Sequence, residues 1–174
     1  MVNKSFVVIL ILLAIVAIAL VAIFIAQSNS GDTMVVEKGD HVSVDYVGTL
    51  DDGTQFDSSV GRAPLEFDVG AGQMIKGFDD GVLSMKLNET KNVKISAKDA
   101  YGEIDPKLFV DVSLDDLAKN NITPKTGMKL YAQGQQVTII KVTNTTATID
   151  FNHPLAGKTL NFKITMLKIE KKKK

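Results

Sequence analysis

The sequence predicts an α+β fold in which strands far apart in the chain form one sheet against a short helix. Three segments alternate apolar and polar residues with the period of a half-buried strand, and a segment between the first two has an apolar stripe at helical spacing. A region with its own strand pattern separates the second and third segments. About 140 of the 174 residues follow an apolar segment and a short polar linker, enough for one ordinary domain or for a small domain that carries an insertion.

The three alternating segments are residues 41–47, 91–97 and 160–164. In the first of them, Val42, Val44 and Tyr46 point to one side, which is typical of a strand with one buried face. Asp52-Gly53 follows it and indicates a hairpin turn. We therefore expect these segments to share one sheet, although they are not neighbours in sequence.

The helical stripe consists of Ile75, Phe78, Val82 and Met85, spaced three or four residues apart. The same segment contains two glycines, at positions 77 and 81, and each weakens a free helix by about 1 kcal/mol relative to alanine. A short helix with this composition needs tertiary packing, so we expect it to lie against the concave face of the sheet.

Residues 103–150 are interpreted as a small, mainly-β domain inserted into the first one. They contain a helix candidate at 114–119, strand-like runs at 128–132, 136–142 and 146–151, and turn residues at 133–135 and 144–145. The pattern of the first sheet resumes afterwards at Leu160, which is why we interpret the region as an insertion.

The amino-terminal region predicts a transmembrane helix. Residues 6–26 carry no charged or polar side chain, and a helix of this length spans a hydrocarbon core of roughly 30 Å. A cleavable signal peptide is the alternative, but its apolar region has only about 7–15 residues and ends in small residues at a cleavage site. We expect an uncleaved anchor at residues 5–26 and a linker at 27–34. Lys4 favours an extracytoplasmic position for the remaining chain.

Composition excludes several classes of function. The 20 basic and 20 acidic residues give no net charge, which argues against a nucleic-acid partner, and the basic tail at residues 171–174 is expected to be solvated. The chain has no cysteine, and its two histidines, His41 and His153, have no partner at metal-ligand spacing. A phosphate-binding glycine motif is also missing. We expect no metal and no cofactor.

The remaining candidates are aromatic and aliphatic residues, namely Tyr46, Phe56, Met74, Ile75, Phe78, Tyr101 and Phe162. Taken one by one, they are compatible with an ordinary hydrophobic core, and composition alone favours that interpretation. Their order along the chain favours a pocket instead.

That order resembles the FKBP family of peptidyl-prolyl isomerases. The segments that carry the resemblance are "VSVDYVGTLDDGTQFDSS", "PLEFDVGAGQMIKGFDDGVLSMKLNE", "DAYG" and "LNFKITMLKI", within residues 35–101 and 151–169. The resemblance implies an antiparallel sheet wrapped around a short helix, formed by residues 35–102 and 151–170. It implies catalytic roles for Tyr46, Phe56, Asp57, Ile75, Phe78, Tyr101 and Phe162, and substrate binding by Leu65, Met74, His153 and Leu155.

Two positions depart from the family pattern. Phe78 stands where many members have tryptophan, and Leu65 stands where some members have phenylalanine. Because phenylalanine is smaller than tryptophan, we expect Phe78 to give a smaller pocket floor, and neither departure removes the pocket.

The inserted region resembles the SlyD-like branch of the family. "DAYGEIDPKLF" leads into the insertion and "IDFNHPLAGKTLNF" leads out of it. In that branch an insert-in-flap domain replaces a loop and binds unfolded chains. The metal-binding tail of some relatives, which is rich in histidine and cysteine, is absent here, so the resemblance implies no metal site.

These observations predict a membrane-anchored, monomeric isomerase and folding chaperone that acts on X-Pro bonds of unfolded or newly exported polypeptides. Phe56 is expected to form a wall for the proline ring, and Asp57 to lie at the pocket edge, bonded to the hydroxyl of Tyr46. A non-catalytic holdase and a structural membrane module without clients are the alternatives. Whether Asn88, Asn121 and Asn144, which match the glycosylation pattern, are modified stays open.

Overall fold

A computed structural model describes residues 34–172 of the chain and contains two antiparallel sheets. The strands of the larger sheet are β1 (His41–Leu50), β2 (Gln55–Ser58), β3 (Leu65–Asp68), β4 (Thr90–Ile95) and β9 (Leu160–Glu170). Their order is β2-β1-β9-β4, with β3 paired to β1 beyond the end of β2.

The predicted α+β class, an antiparallel sheet around one short helix, is confirmed. Helix α1 (Lys76–Val82) packs on the concave face of the larger sheet. Its Phe78 and Val82 are buried together with Val44 of β1 and Ile164 of β9. The sheet and α1 thus share one hydrophobic core.

The helix is shorter than the apolar stripe suggested. It ends at Val82, and Ser84 has a positive φ of 63°, which no helix can continue through. Met85 is nevertheless fully buried, because its carbonyl accepts a hydrogen bond from the Val36 amide and thereby fixes the chain against the core. The stripe correctly predicted burial, while the helical interpretation of Met85 was wrong.

The two glycines of α1 let the helix lie directly on β4. A side chain at Gly77 would overlap Ile95, and one at Gly81 would come within 2.9 Å of Val93. Asp79, which is buried, ties the other side of the helix to the loop after β3, since both of its carboxylate oxygens accept from the Gly70 amide at 2.8 and 2.9 Å.

The hairpin turn expected at Asp52-Gly53 joins β1 to β2, but the strand residues of β2 and β3 were not identified from the sequence. Each has only four residues, and each pairs only with β1, so one long edge of either strand is open. Strand β2 contains a single apolar residue, and β3 alternates apolar and polar residues over only four positions, which is the shortest run that indicates a strand. The polar stretch around Phe56 is such a strand.

The elements of the second sheet are β5 (Phe109–Ser113), helix α2 (Leu114–Lys119), β6 (Lys129–Ala132), β7 (Gln135–Val142) and β8 (Thr146–Asp150). Its strand order is β5-β8-β7-β6, and it forms part of the same compact unit as the larger sheet. The last four match the sequence interpretation closely, but β5 was missed. This sheet has a separate small core of Leu117, Val137, Ile139, Ala147 and Ile149.

Hydrogen bonds join the two segments that connect the sheets. The Gly157 amide donates to the Gly102 carbonyl at 2.9 Å, and the Phe151 amide donates to the Leu108 carbonyl at 3.0 Å. Between them, the buried side chain of Asn152 accepts from the Asp105 amide at 2.8 Å and donates to the Asp105 carbonyl at 3.1 Å. The connection is therefore held by backbone contacts on both segments.

The predicted anchor at residues 5–26 and most of the linker lie outside the described residues. Within residues 34–172 no helix is long and apolar enough to cross a membrane.

The close approach of α1 to β4 generates a stability prediction. Gly77→Ala should lower the free energy of unfolding by about 1–3 kcal/mol, because the added methyl group must displace Ile95 from a packed core. At an exposed helix position the same change would stabilise the protein by about 1 kcal/mol. Chemical denaturation followed by circular dichroism measures the effect. Lys76→Ala, at an exposed position on the same helix, is the control; a Gly77→Ala variant as stable as the parent would contradict this packing.

Candidate active site

An apolar cleft of about 350 Å³ opens between α1 and the concave face of the larger sheet. Strand β1 contributes Tyr46, β9 contributes Phe162, and α1 contributes Phe78. The complete lining is Tyr46, Phe56, Asp57, Leu65, Gln73, Met74, Ile75, Phe78, Tyr101 and Phe162. All seven residues predicted as catalytic thus line one cleft, together with Leu65 and Met74, and Gln73 is the one that sequence analysis missed.

Aromatic rings form the walls of the cleft and meet edge to face. The centroids of Phe78 and Phe162 are 5.0 Å apart at an interplanar angle of 82°, and those of Phe56 and Phe162 are 5.6 Å apart at 87°. Tyr46 meets Phe78 at 5.8 Å and 81°. This arrangement brings the positive edge of one ring to the negative face of the next, which fixes the walls in place.

A glycine in β1 makes room for two of these rings. A Cβ atom at Gly48 would lie 2.7 Å from the Phe56 ring and 3.0 Å from the Phe162 ring. Nothing in the local sequence indicates this role, because the close approach arises from residues in three different strands.

A single carboxylate lies at the rim of the cleft and is held by three donors. Asp57 accepts from the Tyr46 hydroxyl at 2.5 Å, from the Arg62 guanidinium at 2.7 Å and from the Ser58 amide at 2.8 Å. The bond to Tyr46 is the one predicted from the sequence. Arg62 was missed; it reaches Asp57 because a turn, closed by the Arg62 amide and the Ser59 carbonyl at 2.8 Å, brings it back to the rim.

These contacts determine the protonation states of Tyr46 and Asp57 at the rim of the cleft. Burial and the hydrogen bond to Asp57 raise the pKa of Tyr46 to about 12. The hydrogen bond from Tyr46, together with Arg62 and the Ser58 amide, holds the pKa of Asp57 below its ordinary value. At neutral pH the hydroxyl therefore keeps its proton and the carboxylate stays ionised.

Ile75 presents a backbone donor at the start of α1. Its carbonyl accepts from the Phe78 and Asp79 amides, so the residue begins the helix. The first amides of a helix have no partner within the helix. Within the described part of the chain the Ile75 amide has no acceptor, and Ile75 lines the cleft. A ligand carbonyl is a suitable partner for it.

Two of the predicted substrate-binding residues lie outside the lining. His153 stacks on Tyr101 with ring centroids 3.8 Å apart and an interplanar angle of 8°. Its Nδ1 accepts from the Leu155 amide at 3.1 Å, and burial lowers the pKa of the imidazole. Leu155 packs against the main core. Both residues belong to the segment that returns from the second sheet, and His153 supports Tyr101 from outside the cleft.

The described residues place no other reactive constellation near the cleft. Among residues 34–172 no three histidine, aspartate or glutamate side chains converge where they could hold a metal ion. What the cleft offers a ligand is an apolar, aromatic enclosure with one fixed carboxylate and one backbone donor at its edge.

The fold and the cleft together define an α+β protein that can enclose an apolar side chain of a peptide between a sheet and one helix. Comparisons with known proteins agree. The family model of FKBP-type peptidyl-prolyl cis-trans isomerases matches residues 33–167. A short-type peptidyl-prolyl cis-trans isomerase of Methanocaldococcus jannaschii is 36% identical over 149 residues, which cover 78% of this chain and 94% of that protein.

Two bacterial proteins named SlyD are also similar. The FKBP-type isomerase SlyD of Helicobacter pylori is 35% identical over 116 residues, covering 64% of this chain and 62% of its own length. That of Treponema pallidum is 33% identical over 129 residues, covering 72% and 73%. The chain belongs to the FKBP family and is an FKBP-type peptidyl-prolyl cis-trans isomerase, an enzyme whose substrates are proline-containing polypeptides.

Proposed function

We propose that the aromatic cleft binds the proline of an X-Pro segment and stabilises the twisted form of the preceding peptide bond. Rotation about this bond is slow because it breaks amide resonance, with a barrier of roughly 18–20 kcal/mol. No bond needs to be cleaved and no proton needs to move. The absence of a nucleophile from the lining is therefore compatible with catalysis.

The observation that carries this proposal is the combination of a ring-walled cleft with one fixed carboxylate, that of Asp57. Phe56 and Phe162 enclose the proline ring and exclude water. A twisted amide is less polar than a planar one, so an apolar enclosure binds the transition state better than the ground state. The Ile75 amide holds a substrate carbonyl, and Asp57 is oriented towards the carbonyl of the twisted bond.

This mechanism predicts separate effects on activity and stability. Phe56→Ala removes a wall and Asp57→Ala removes the oriented carboxylate, so each should lower kcat/KM for a proline tetrapeptide by about tenfold or more. A coupled assay of tetrapeptide isomerisation measures this. Because the Asp57 side chain is 46% exposed, Asp57→Ala should leave the thermal midpoint nearly unchanged.

Tyr46→Phe is the matched variant for the carboxylate. It keeps the ring that packs on Phe78 and removes only the hydroxyl, while Arg62 and the Ser58 amide still hold Asp57. Its loss of activity should be smaller than that of Asp57→Ala. Full activity of Asp57→Ala, or its unfolding, would show that the carboxylate has no role in the cleft.

We further propose that the second sheet is an insert-in-flap domain, as in the SlyD-like branch, which binds unfolded chains and gives the enzyme a chaperone role. Apolar side chains are exposed on it, with Tyr131 82% and Ile140 40% exposed. Both connections to the larger sheet lie beside Tyr101, which lines the cleft. A polypeptide held on the second sheet would thus present its prolines close to the cleft. Because the family is catalytic, holding a client would accompany isomerisation rather than replace it.

Replacement of residues 103–150 by a short glycine-containing loop tests whether the second sheet binds clients while the cleft alone catalyses isomerisation. Tyr101 and His153, close to the two ends that the loop would join, stack with ring centroids 3.8 Å apart, so a short loop can close the gap. Tetrapeptide activity should be largely retained, since the small substrate needs only the cleft. Catalysis of proline-limited protein refolding should fall about tenfold to a hundredfold, because a linked second site raises the local concentration of client prolines.

A milder variant controls for the possibility that the replacement loop itself disturbs the fold. The double substitution Tyr131→Ser and Ile140→Ser leaves the backbone intact and removes two exposed apolar side chains. It should slow protein refolding and spare tetrapeptide turnover. Parent-like refolding activity in both variants would exclude a client-binding role for the second sheet.

Residues 5–26 are proposed to anchor the enzyme in a membrane, with residues 27–34 as a linker and the catalytic part outside the cytoplasm, acting as a monomer on exported chains. The support is the uncharged run of residues 6–26 preceded by Lys4. The full chain should remain in the membrane fraction after an alkaline carbonate wash. External protease should degrade the domain in intact cells, and protection from it would contradict this orientation.

A further inference from the structure

We propose that His153 is a positioning residue of the isomerase: its uncharged imidazole holds Tyr101 in the wall of the cleft, and a second proton on the ring releases Tyr101. The inference goes beyond the isomerase activity, because it makes that activity depend on the protonation state of a side chain outside the cleft. It rests on the proposal that the cleft binds the X-Pro segment, and the experiment below separates the two.

Tyr101 is held in place chiefly through His153. It lies in a turn between β4 and β5, lines the cleft and is 42% exposed. Its ring stacks on His153 with centroids 3.8 Å apart and an interplanar angle of 8°. Within residues 34–172 it contacts no other aromatic ring, and its hydroxyl has no hydrogen-bond partner. Tyr46, by contrast, is fixed by its bond to Asp57 and by two phenylalanine rings.

The His153 side of the stack is anchored to both parts of the molecule. The His153 carbonyl accepts from the amide of the buried Ala156 at 2.8 Å, and Leu155 packs against the main core. The preceding residue, Asn152, is buried and bonds to the backbone of Asp105 as donor and as acceptor. His153 is therefore the fixed member of the pair, and the turn that carries Tyr101 adapts to it.

A hydrogen bond determines where the proton of the imidazole lies. The Leu155 amide donates to Nδ1 of His153 at 3.1 Å. A backbone amide can only donate, so Nδ1 must present its lone pair, and the proton of the uncharged ring is on Nε2. A proton on Nδ1 would bring two donors face to face. Protonation therefore breaks this hydrogen bond and displaces the ring, and the stack on Tyr101 depends on the position of that ring.

No neighbouring charge compensates a protonated His153. The ionisable side chains on the two segments that meet at the stack, apart from Tyr101 and His153, are Lys98, Asp99, Glu103, Asp105, Asp150 and Lys158. Among the described residues none of them forms an ion pair with His153. Burial against its neighbours lowers the pKa of His153 below its ordinary value of 6.5.

One attraction opposes the release of Tyr101. A cation over the face of a phenol ring is attracted to it, but this attraction is weakest where the pair is exposed to water, as both residues are here. The conflict between two donors acts at the distance of a hydrogen bond, so it dominates. Because the pKa is lowered, the uncharged ring and the stack are complete above pH 6.5 and are lost as the pH falls through the lowered pKa.

The experiment measures kcat/KM of the full chain for a proline tetrapeptide between about pH 8 and pH 4.5, by exchange NMR without a coupling protease. The parent should lose activity about threefold to tenfold on acidification, as expected when a lining residue is misplaced. The midpoint should coincide with the titration of the His153 Cε1 proton, followed by NMR on the same protein. Asp57, whose pKa is held below its ordinary value of 3.8, stays ionised over this range.

Three variants separate the stack from the other properties of His153. His153→Phe keeps an aromatic plane that cannot titrate, so it should have nearly the parent activity at neutral pH and no acid limb. His153→Asn offers an oxygen to the Leu155 amide without a ring, and its activity should be low at every pH. His41→Gln changes the other histidine of the sequence, which pairs with Asp68 away from the cleft, and should keep the parent profile.

Circular dichroism at each pH establishes that the variants are folded. A parent profile that stays flat while His153 titrates would overturn the proposal, and so would an acid limb that persists in His153→Phe or full activity of His153→Asn. If a variant does not fold, the comparison of the parent profile with the NMR titration decides. Undiminished activity of Phe56→Ala refutes the proposed cleft, whereas a loss in Phe56→Ala with a flat parent profile refutes only the role of His153.

Discussion

Direct contact between α1 and β4 is the constraint on which the site depends. Gly77 and Gly81 present no side chains to Ile95 and Val93, so the helix rests on the strand itself. The close approach of α1 to the sheet brings the ring centroid of Phe78 to within 5.0 Å of that of Phe162. A helix held further from the sheet would separate these rings and open the cleft to water. The low helix propensity of glycine is thus offset by the packing that it permits.

The electrostatics of the cleft complement its shape. Asp57 is the one ionised group in the lining, and it lies at the rim, where Tyr46, Arg62 and the Ser58 amide already satisfy it. Its orientation is therefore set before a substrate binds, and the interior stays apolar. An enzyme that rotates a bond without moving a proton requires no titrating group near neutral pH, and neither Tyr46 nor Asp57 titrates there.

The chain entry, the cleft and the connection to the second sheet lie at successive positions along the paired strands β1 and β9. The chain enters the domain near the pair of His41 and Glu170, the cleft lies over the middle of the ladder around Tyr46 and Phe162, and the second sheet is connected beyond Leu160. Asn152 and the hydrogen bond between Gly157 and Gly102 hold that connection. Proximity of the second sheet to the cleft is thus a consequence of where the insertion interrupts the larger sheet.

Local pattern by itself determined the long strands, the position of the helix and the separate character of residues 103–150, because alternation and apolar spacing depend only on which face of an element is buried. The motif order further predicted nine of the ten residues that line the cleft. Local pattern did not identify the edge strands β2 and β3, which have only four residues each, and it placed Met85 on a helix that ends earlier. Only the tertiary structure decided the roles of Gly48 and Arg62 and the position of His153 behind Tyr101. Each of these depends on the approach of segments distant in sequence or on a turn that redirects a side chain, and such distances are set by packing and not by local sequence.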